Sequence, residues 1–382
     1  MYTRLLNIPN DSILLFGPRG TGKSTWIKQN FSGSPLYDLL DTKEALRLSK
    51  EPSLLYREIA HLKEGSWVVI DEVQKVPALL DEVHRLIEGH RLRFILSGSS
   101  ARKLKRGGVN LLAGRAKIAH LFPLVSAEVD FKIEILRTLQ FGMLPMAFTS
   151  DDPIPYLRTY SEVYLQEEIK GEALTRNLGN FARFLEVAAR QNGQVTNVTG
   201  IARDAQVSRQ TVQGYFDILV DTLIGSWLYP WKLKRATKQI AHPKFFFFDS
   251  GVARALSGRL PYPPTNEELG VLLETFALGE INAFLAYSQL NYPIHFWSSH
   301  DGVEVDILLE TKKGYVAIEL KSTQRWDTKF NRGLNRIRQE LGVTKVHCIG
   351  VYTGEREARF DAIHVIPLLS FLKNLWAGEI IQ

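Results

Sequence analysis

The chain has 382 residues, 45% hydrophobic and 23% charged, with 47 Lys and Arg against 41 Asp and Glu and a formal net charge of +6. This is ordinary globular composition, long enough for two or three domains that each bury a core, and its mild basic excess permits an anionic partner without requiring one. A single cysteine, Cys348, excludes an internal disulfide and a cysteine zinc cluster.

The nine histidines show no metal-ligand spacing. The N-terminal MYTRLLNIPNDS lacks the apolar core of a signal peptide, and no apolar run approaches the roughly 18 residues of a spanning helix. A cytoplasmic setting without a membrane is therefore expected. Two polar, proline-bearing stretches, residues 149–156 and 257–268, read as seams.

Residues 13–16, Ile-Leu-Leu-Phe, read as a buried parallel strand. Gly17-Pro18-Arg19-Gly20-Thr21-Gly22-Lys23-Ser24 then matches G-x-x-x-x-G-K-[ST] in full, with a helix expected from Thr25. Such a loop turns backbone N–H groups around phosphate oxygens. Lys23 is placed to reach the β and γ phosphates of ATP, and Ser24 to offer its hydroxyl to Mg²⁺. A second apolar run, Trp67-Val-Val-Ile70, ends in Asp71-Glu72. In a parallel sheet those carboxylates share a rim with the loop. Asp71 is expected to hold Mg²⁺ and Glu72 to polarise the attacking water. A third run, Arg93-Phe-Ile-Leu96, leads into Ser97-Gly-Ser-Ser100, where Ser97 or Ser99 could meet the γ phosphate; alternation leaves both open.

The order of phosphate loop, VVIDEVQKVP, FILSGSS, LLAGRA and LFPL resembles a large group of prokaryotic AAA+ ATPases carrying a C-terminal domain of unassigned function. The resemblance implies an α/β, P-loop AAA+ parallel sheet domain over residues 1–150 and a helical lid and connector over 151–192. It makes Arg115 a candidate arginine finger acting on a neighbouring subunit's nucleotide, and hence implies a homo-oligomer, with a hexamer favoured.

Residues 197–224 then read as a helix-turn-helix within a winged helix-turn-helix module, 193–260. Thr199 is expected to cap the first helix and Ser208 the second. Arg209, Gln210 and Gln213 fall at the exposed start of the second helix, where such motifs meet a DNA major groove. The following extended stretches read as a wing carrying Lys232, Lys234, Arg235, Lys238 and Lys244, whose Lys232, Lys234 and Arg235 would contact phosphates. Winged helices that bind only protein carry the same pattern.

In the last part, 261–382, Glu274 lies on an amphipathic helix, Asp306 on a strand, and Glu319 and Lys321 two apart on the next. This helix–strand–strand order resembles the PD-(D/E)xK nuclease core, and so a restriction-endonuclease-like α/β domain. It implies that Glu274, Asp306 and Glu319 share a second Mg²⁺ or a Mn²⁺, with Lys321 steadying the hydroxide or phosphorane. The functional expectation is an oligomeric, Mg²⁺-dependent ATPase that binds, remodels or translocates DNA, branched DNA included, with a metal-dependent nuclease site. The alternative is a nucleotide-state switch that recruits a protein partner through a non-cleaving nuclease-like domain. A small-molecule kinase would not need half of this chain.

Overall fold

A computed structural model describes residues 2–98, 112–164, 178–231, 242–342 and 345–382. The chain divides into two compact units, one of residues 4–123 with 221–224, the other of 2–3, 124–220 and 225–382.

In the first unit, strands β1 (Ile13–Phe16), β2 (Leu36–Asp38), β3 (Trp67–Asp71), β4 (Arg93–Gly98) and β5 (Lys117–His120) form a parallel sheet in the order β2-β3-β4-β1-β5. Alternation along each strand serves two faces. Leu14, Phe16, Val68, Ile70, Phe94 and Leu96 pack into one core. Ile13, Leu15, Val69 and Ile95 join Trp26 and Ile27 of helix α1 (Lys23–Asn30) in another. This explains the unbroken apolar runs in the sequence: both faces are covered, so neither set of side chains can be polar. Because the strands are parallel, the loops after β1, β3 and β4 all open at one edge.

That unit ends at Pro123, not near residue 150 as expected. Leu124, Val129, Leu139 and Met143 belong to the core of the second unit. Ser126 fixes this assignment: its N–H and hydroxyl donate to Glu280 at 2.7 and 2.9 Å, and Trp376 Nε1 donates to the same carboxylate at 2.7 Å. Burial pushes the Glu280 carboxyl up to about 7 despite these three donors.

The second unit carries an eight-stranded mixed sheet among the described residues. Its strands are β6 (Gly225–Pro230), β7 (Lys244–Phe247), β8 (Ile294–Ser298), β9 (Glu304–Thr311), β10 (Gly314–Lys321), β11 (Val346–Tyr352), β12 (Ala358–Phe360) and β13 (Ile363–Pro367), in the order β12-β13-β11-β10-β9-β8-β6-β7. The helix Asn266–Tyr287 packs Leu273, Ala277 and Ile281 with Ile307, Leu309, Ile318 and Leu320. The helix Asn331–Leu341 packs Leu334 and Ile337 with Leu308 and Ala317. By length and composition Asn266–Tyr287 is apolar enough to cross a membrane, but most of its apolar window is buried in this core.

Ahead of the sheet lie helices Leu178–Arg190, Val198–Asp204 and Arg209–Asp221. Asn197, rather than Thr199, caps the second of these, accepting from Gly200 N at 3.0 Å. Ser208 caps the third through Thr211 N at 3.1 Å. An aromatic cluster fixes these helices to the β6–β7 hairpin: Phe184 meets Phe216 edge-on at 5.0 Å, and Phe216 lies 4.7 Å from both Trp227 and Phe245. The hairpin is not a separate wing. Tyr229 and Pro230 of β6 pair in parallel with His295 and Phe296 of β8, so one sheet runs through the expected 260/261 boundary.

Candidate functional site

The phosphate loop leaves β1 at Gly17. A Cβ there would lie 2.3 Å from the Leu121 carbonyl oxygen, so only glycine admits this approach of two backbones. Gly20 and Gly22 have φ of 82° and 95°, the left-handed region that bends the loop inward. Pro18 and Thr21 tie it together: the Thr21 hydroxyl donates to the Pro18 carbonyl at 2.9 Å. Lys23 donates to the Gly17 and Pro18 carbonyls at 2.7 and 3.2 Å. Arg19 and Thr25 sit in the loop and the first turn of α1 as expected.

The three strand ends meet at Asp71. Ser24 donates to Asp71 Oδ2 at 3.0 Å, and Ser97 donates to Asp71 Oδ1. Of the two candidate serines, Ser97 is fully buried at this contact, and Ser99 lies outside the described residues. Glu72 follows in a left-handed conformation, φ 60°, which turns its side chain away from the strand alternation. Its N–H approaches Ser97 Oγ at 3.4 Å, and Gln74 Nε2 donates to its carboxylate.

Two residues here were missed by sequence reasoning. Gln74 orients Glu72. Arg4 clamps the loop from outside, donating to the Thr21 carbonyl at 2.5 Å and to those of Phe122 and Pro123 at 2.6 and 3.1 Å. Arg115 donates to Glu88 on the helix Leu79–His90, and that partner is held below the usual carboxylate range by it.

The second cluster lies at the ends of β9 and β10. Their register pairs Ile318 with Ile307, which brings Glu319 level with Asp306. Lys321 Nζ lies 2.6 Å from Glu319 and 3.7 Å from Asp306, and Leu320 N donates to Asp306 Oδ2 at 2.7 Å. Burial, with the Asp306 charge second, pushes both Glu319 and Glu274 well above the usual carboxylate range. Burial works against the Lys321 charge, but Asp306 and Glu319 outweigh it and hold the ammonium protonated. A second lysine belongs here, one that the sequence places in the wing. Lys244 at the start of β7 is buried, sits 3.1 Å from Glu304 and feels the charges of Glu274 and Asp306.

This corrects the expected cation site. Among the described residues no three His, Cys, Asp or Glu side chains lie close enough together to hold one ion. Lys321 lies beside Glu319 and Asp306 instead, and Glu274 feels the charges of Lys244 and Lys321. One feature still suits a hard cation: Glu319 Oε2 is buried without a hydrogen-bond partner.

Arg209, Gln210 and Gln213 are exposed at the start of their helix, and Arg209 donates to the Thr199 hydroxyl. Lys232, Lys234 and Arg235 lie outside the described residues.

Residues 9–129 match an AAA domain family. Residues 134–262 and 269–371 match two families described only as domains of unknown function. Over 366 residues, 93% of this chain and 79% of the relative, the sequence is 26% identical to an uncharacterized protein of Mycobacterium tuberculosis and equally to one of Mycobacterium bovis. Among solved structures, the Aeropyrum pernix Orc1 protein in complex with DNA is similar at a TM-score of 0.28 and 12% identity, over 66% of this chain and 87% of that one. A Vibrio cholerae protein is similar at a TM-score of 0.22 and 14% identity, over 96% of both chains. The parallel sheet and its loop agree with the AAA match; the families matched by the two later segments assign them no activity.

Proposed function

We propose that this protein is a Mg²⁺-dependent ATPase, working as a homo-oligomer, whose nucleotide cycle drives the gripping or remodelling of DNA. The observation that carries the ATPase is the joining of Ser24, Asp71 and Ser97 beside Lys23. Lys23 rests on neutral carbonyl oxygens, which a phosphate outcompetes. Ser24 and Asp71 present the hydroxyl and carboxylate that would hold a Mg²⁺. The ion, when bound, offsets the charge that develops on the transferred phosphoryl group. Glu72, steered by Gln74, accepts the proton of the attacking water. For Arg115 to act on a neighbour's nucleotide it must exchange Glu88 for phosphate, which a surface ion pair permits at little cost.

The DNA reading rests on the exposed Arg209, Gln210 and Gln213 beside a hairpin fixed by aromatic packing. For the carboxylate cluster, the internal lysine pairs favour the non-cleaving role: nucleic acid or a protein partner bound without hydrolysis. ATP turnover measured with duplex, flap, junction and single-stranded DNA, beside sizing of the nucleotide-bound particle, tests the whole. Several-fold stimulation by one DNA form supports it. Turnover indifferent to DNA, with a co-purifying protein, would turn the choice to the nucleotide switch.

A further inference from the structure

Gly22 stands at φ 95° without a side chain, so the peptide plane ahead of it, between Thr21 and Gly22, turns over at little steric cost. Its orientation decides what a bound phosphate meets. The peptide is trans, and in a trans peptide the C=O and N–H point opposite ways. Turning the Thr21 carbonyl outward therefore keeps the Gly22 N–H on the other side, as a loop that wraps N–H groups around phosphate oxygens requires. The reverse orientation would set a carbonyl oxygen against the phosphate.

The Thr21 N–H and hydroxyl both donate to the Pro18 carbonyl, at 3.4 and 2.9 Å. They anchor the residue but leave its own carbonyl to rotate. Arg4 holds that carbonyl, with Nη1 donating to it at 2.5 Å. Nη2 of the same guanidinium donates to the Phe122 and Pro123 carbonyls at 2.6 and 3.1 Å. These two residues follow directly on Leu121, whose N–H donates to the Phe16 carbonyl at 2.8 Å and whose own carbonyl lies against Gly17. The guanidinium is thus braced on the segment that backs the loop. A planar fork engaged at both Nη atoms cannot turn without breaking a contact, and its charge makes each hydrogen bond firmer than a neutral one. Thr21 is fully buried and Arg4 half-buried, so water competes little for the Thr21 carbonyl.

We propose that Arg4 is a positioning residue for the nucleotide: it locks the Thr21–Gly22 peptide with the N–H available to the phosphates that ATP and ADP have in common. This role rests on the ATPase reading. An interaction with those phosphates is made equally before and during the reaction, so its loss raises KM and spares kcat.

The test is equilibrium binding of ATP and of ADP, each with Mg²⁺, to the full chain and to Arg4→Gln, beside steady-state turnover. Arg4→Gln should weaken both nucleotides by the same factor, about tenfold, and raise KM to match, with kcat within about twofold. Arg4→Lys keeps the charge but not the fork and should weaken both about threefold. If Arg4→Gln does not fold, Arg4→Lys decides by the same readings. A residue that merely supports the fold would lower the active fraction, and so kcat, while KM and both affinities stayed at wild-type values; that pattern would overturn the proposal. A loss for ATP alone would also overturn it, by moving the contact to the γ phosphate. Wild-type chain that binds no nucleotide would defeat the ATPase reading and this role together, whereas normal wild-type binding with unaltered variants would defeat the role of Arg4 alone.

Discussion

The phosphate loop and the carboxylate cluster both assemble at strand ends, from residues that lie far apart in the chain, and they treat charge in opposite ways. In the loop, Lys23 is lodged against the neutral carbonyls of Gly17 and Pro18, and the Asp71 carboxylate against the hydroxyls of Ser24 and Ser97. Each of those contacts is to a neutral carbonyl or hydroxyl and can be exchanged for a phosphate oxygen or a cation. In the cluster, Lys321 and Lys244 are committed to Glu319, Asp306 and Glu304. Any incoming ion there has to break an internal pair in a buried setting, where the partner left behind is expensive. The same residue types thus make one arrangement held by neutral partners and one held largely by internal ion pairs.

Four changes would break or sharpen this contrast. Lys23→Ala should have the largest effect, a loss of at least about 100-fold in ATP turnover with nucleotide retention also failing in equilibrium binding. Retained binding and turnover would show that the loop is not the nucleotide site. Glu72→Gln should lower turnover by roughly 100-fold while leaving nucleotide affinity within about threefold, since its proton-accepting role is made only in the reaction. Equal losses in binding and turnover would mean that Glu72 merely shapes the loop.

On the other side of the contrast, Lys244→Met should tighten Mn²⁺ binding about tenfold in a direct titration. The affinity should climb as pH rises above the ordinary carboxylate range, because Glu274 and Glu319 ionise late. A Mn²⁺ affinity unmoved by the substitution would mean that the lysines do not guard the cluster.

The smallest effect concerns stability. Folding raises the Glu280 carboxyl from 4.5 to about 7, so the folded state binds the extra proton between those values. Its contribution is present below about 4.5 and is lost as pH rises through 7. Thermal unfolding of the wild type should therefore show a decline across that window which Glu280→Gln removes. Parallel curves for the two proteins would assign the decline to other groups.

What could be seen in the sequence follows from how local its causes are. The strand Ile13–Phe16 and its loop are legible because the apolar run, the glycines and Lys23 are contiguous. Asp71 and Glu72 are legible as a strand end because the buried run Trp67–Ile70 stops there. Gln74 and Arg4 carry no such mark; Arg4 acts on carbonyls more than a hundred residues away, and an N-terminal arginine looks like any solvated one. Lys244 reads in sequence as the last lysine of a wing because the extended stretch it begins follows Lys232, Lys234, Arg235 and Lys238. Only the pairing of β6 with both β7 and β8 brings it in beside Glu304. The boundary near residue 150 was misplaced for a similar reason. The polar stretch 149–156 looks like a hinge, yet the chain has already changed cores at Leu124, where no polar or glycine-rich run announces it.

The β6–β8 pairing has a mechanical consequence. Tyr229 and Pro230 splice the hairpin that carries Lys244 into the same hydrogen-bonded ladder as Asp306 and Glu319. Tension applied to the helices ahead of the hairpin would travel along β6 and shear that ladder. The first ion pair strained would be the one between Lys244 and Glu304. Force on the β7 edge of the sheet would then reach the carboxylates on the interior strands β9 and β10, a coupling that needs no hinge and no moving lid.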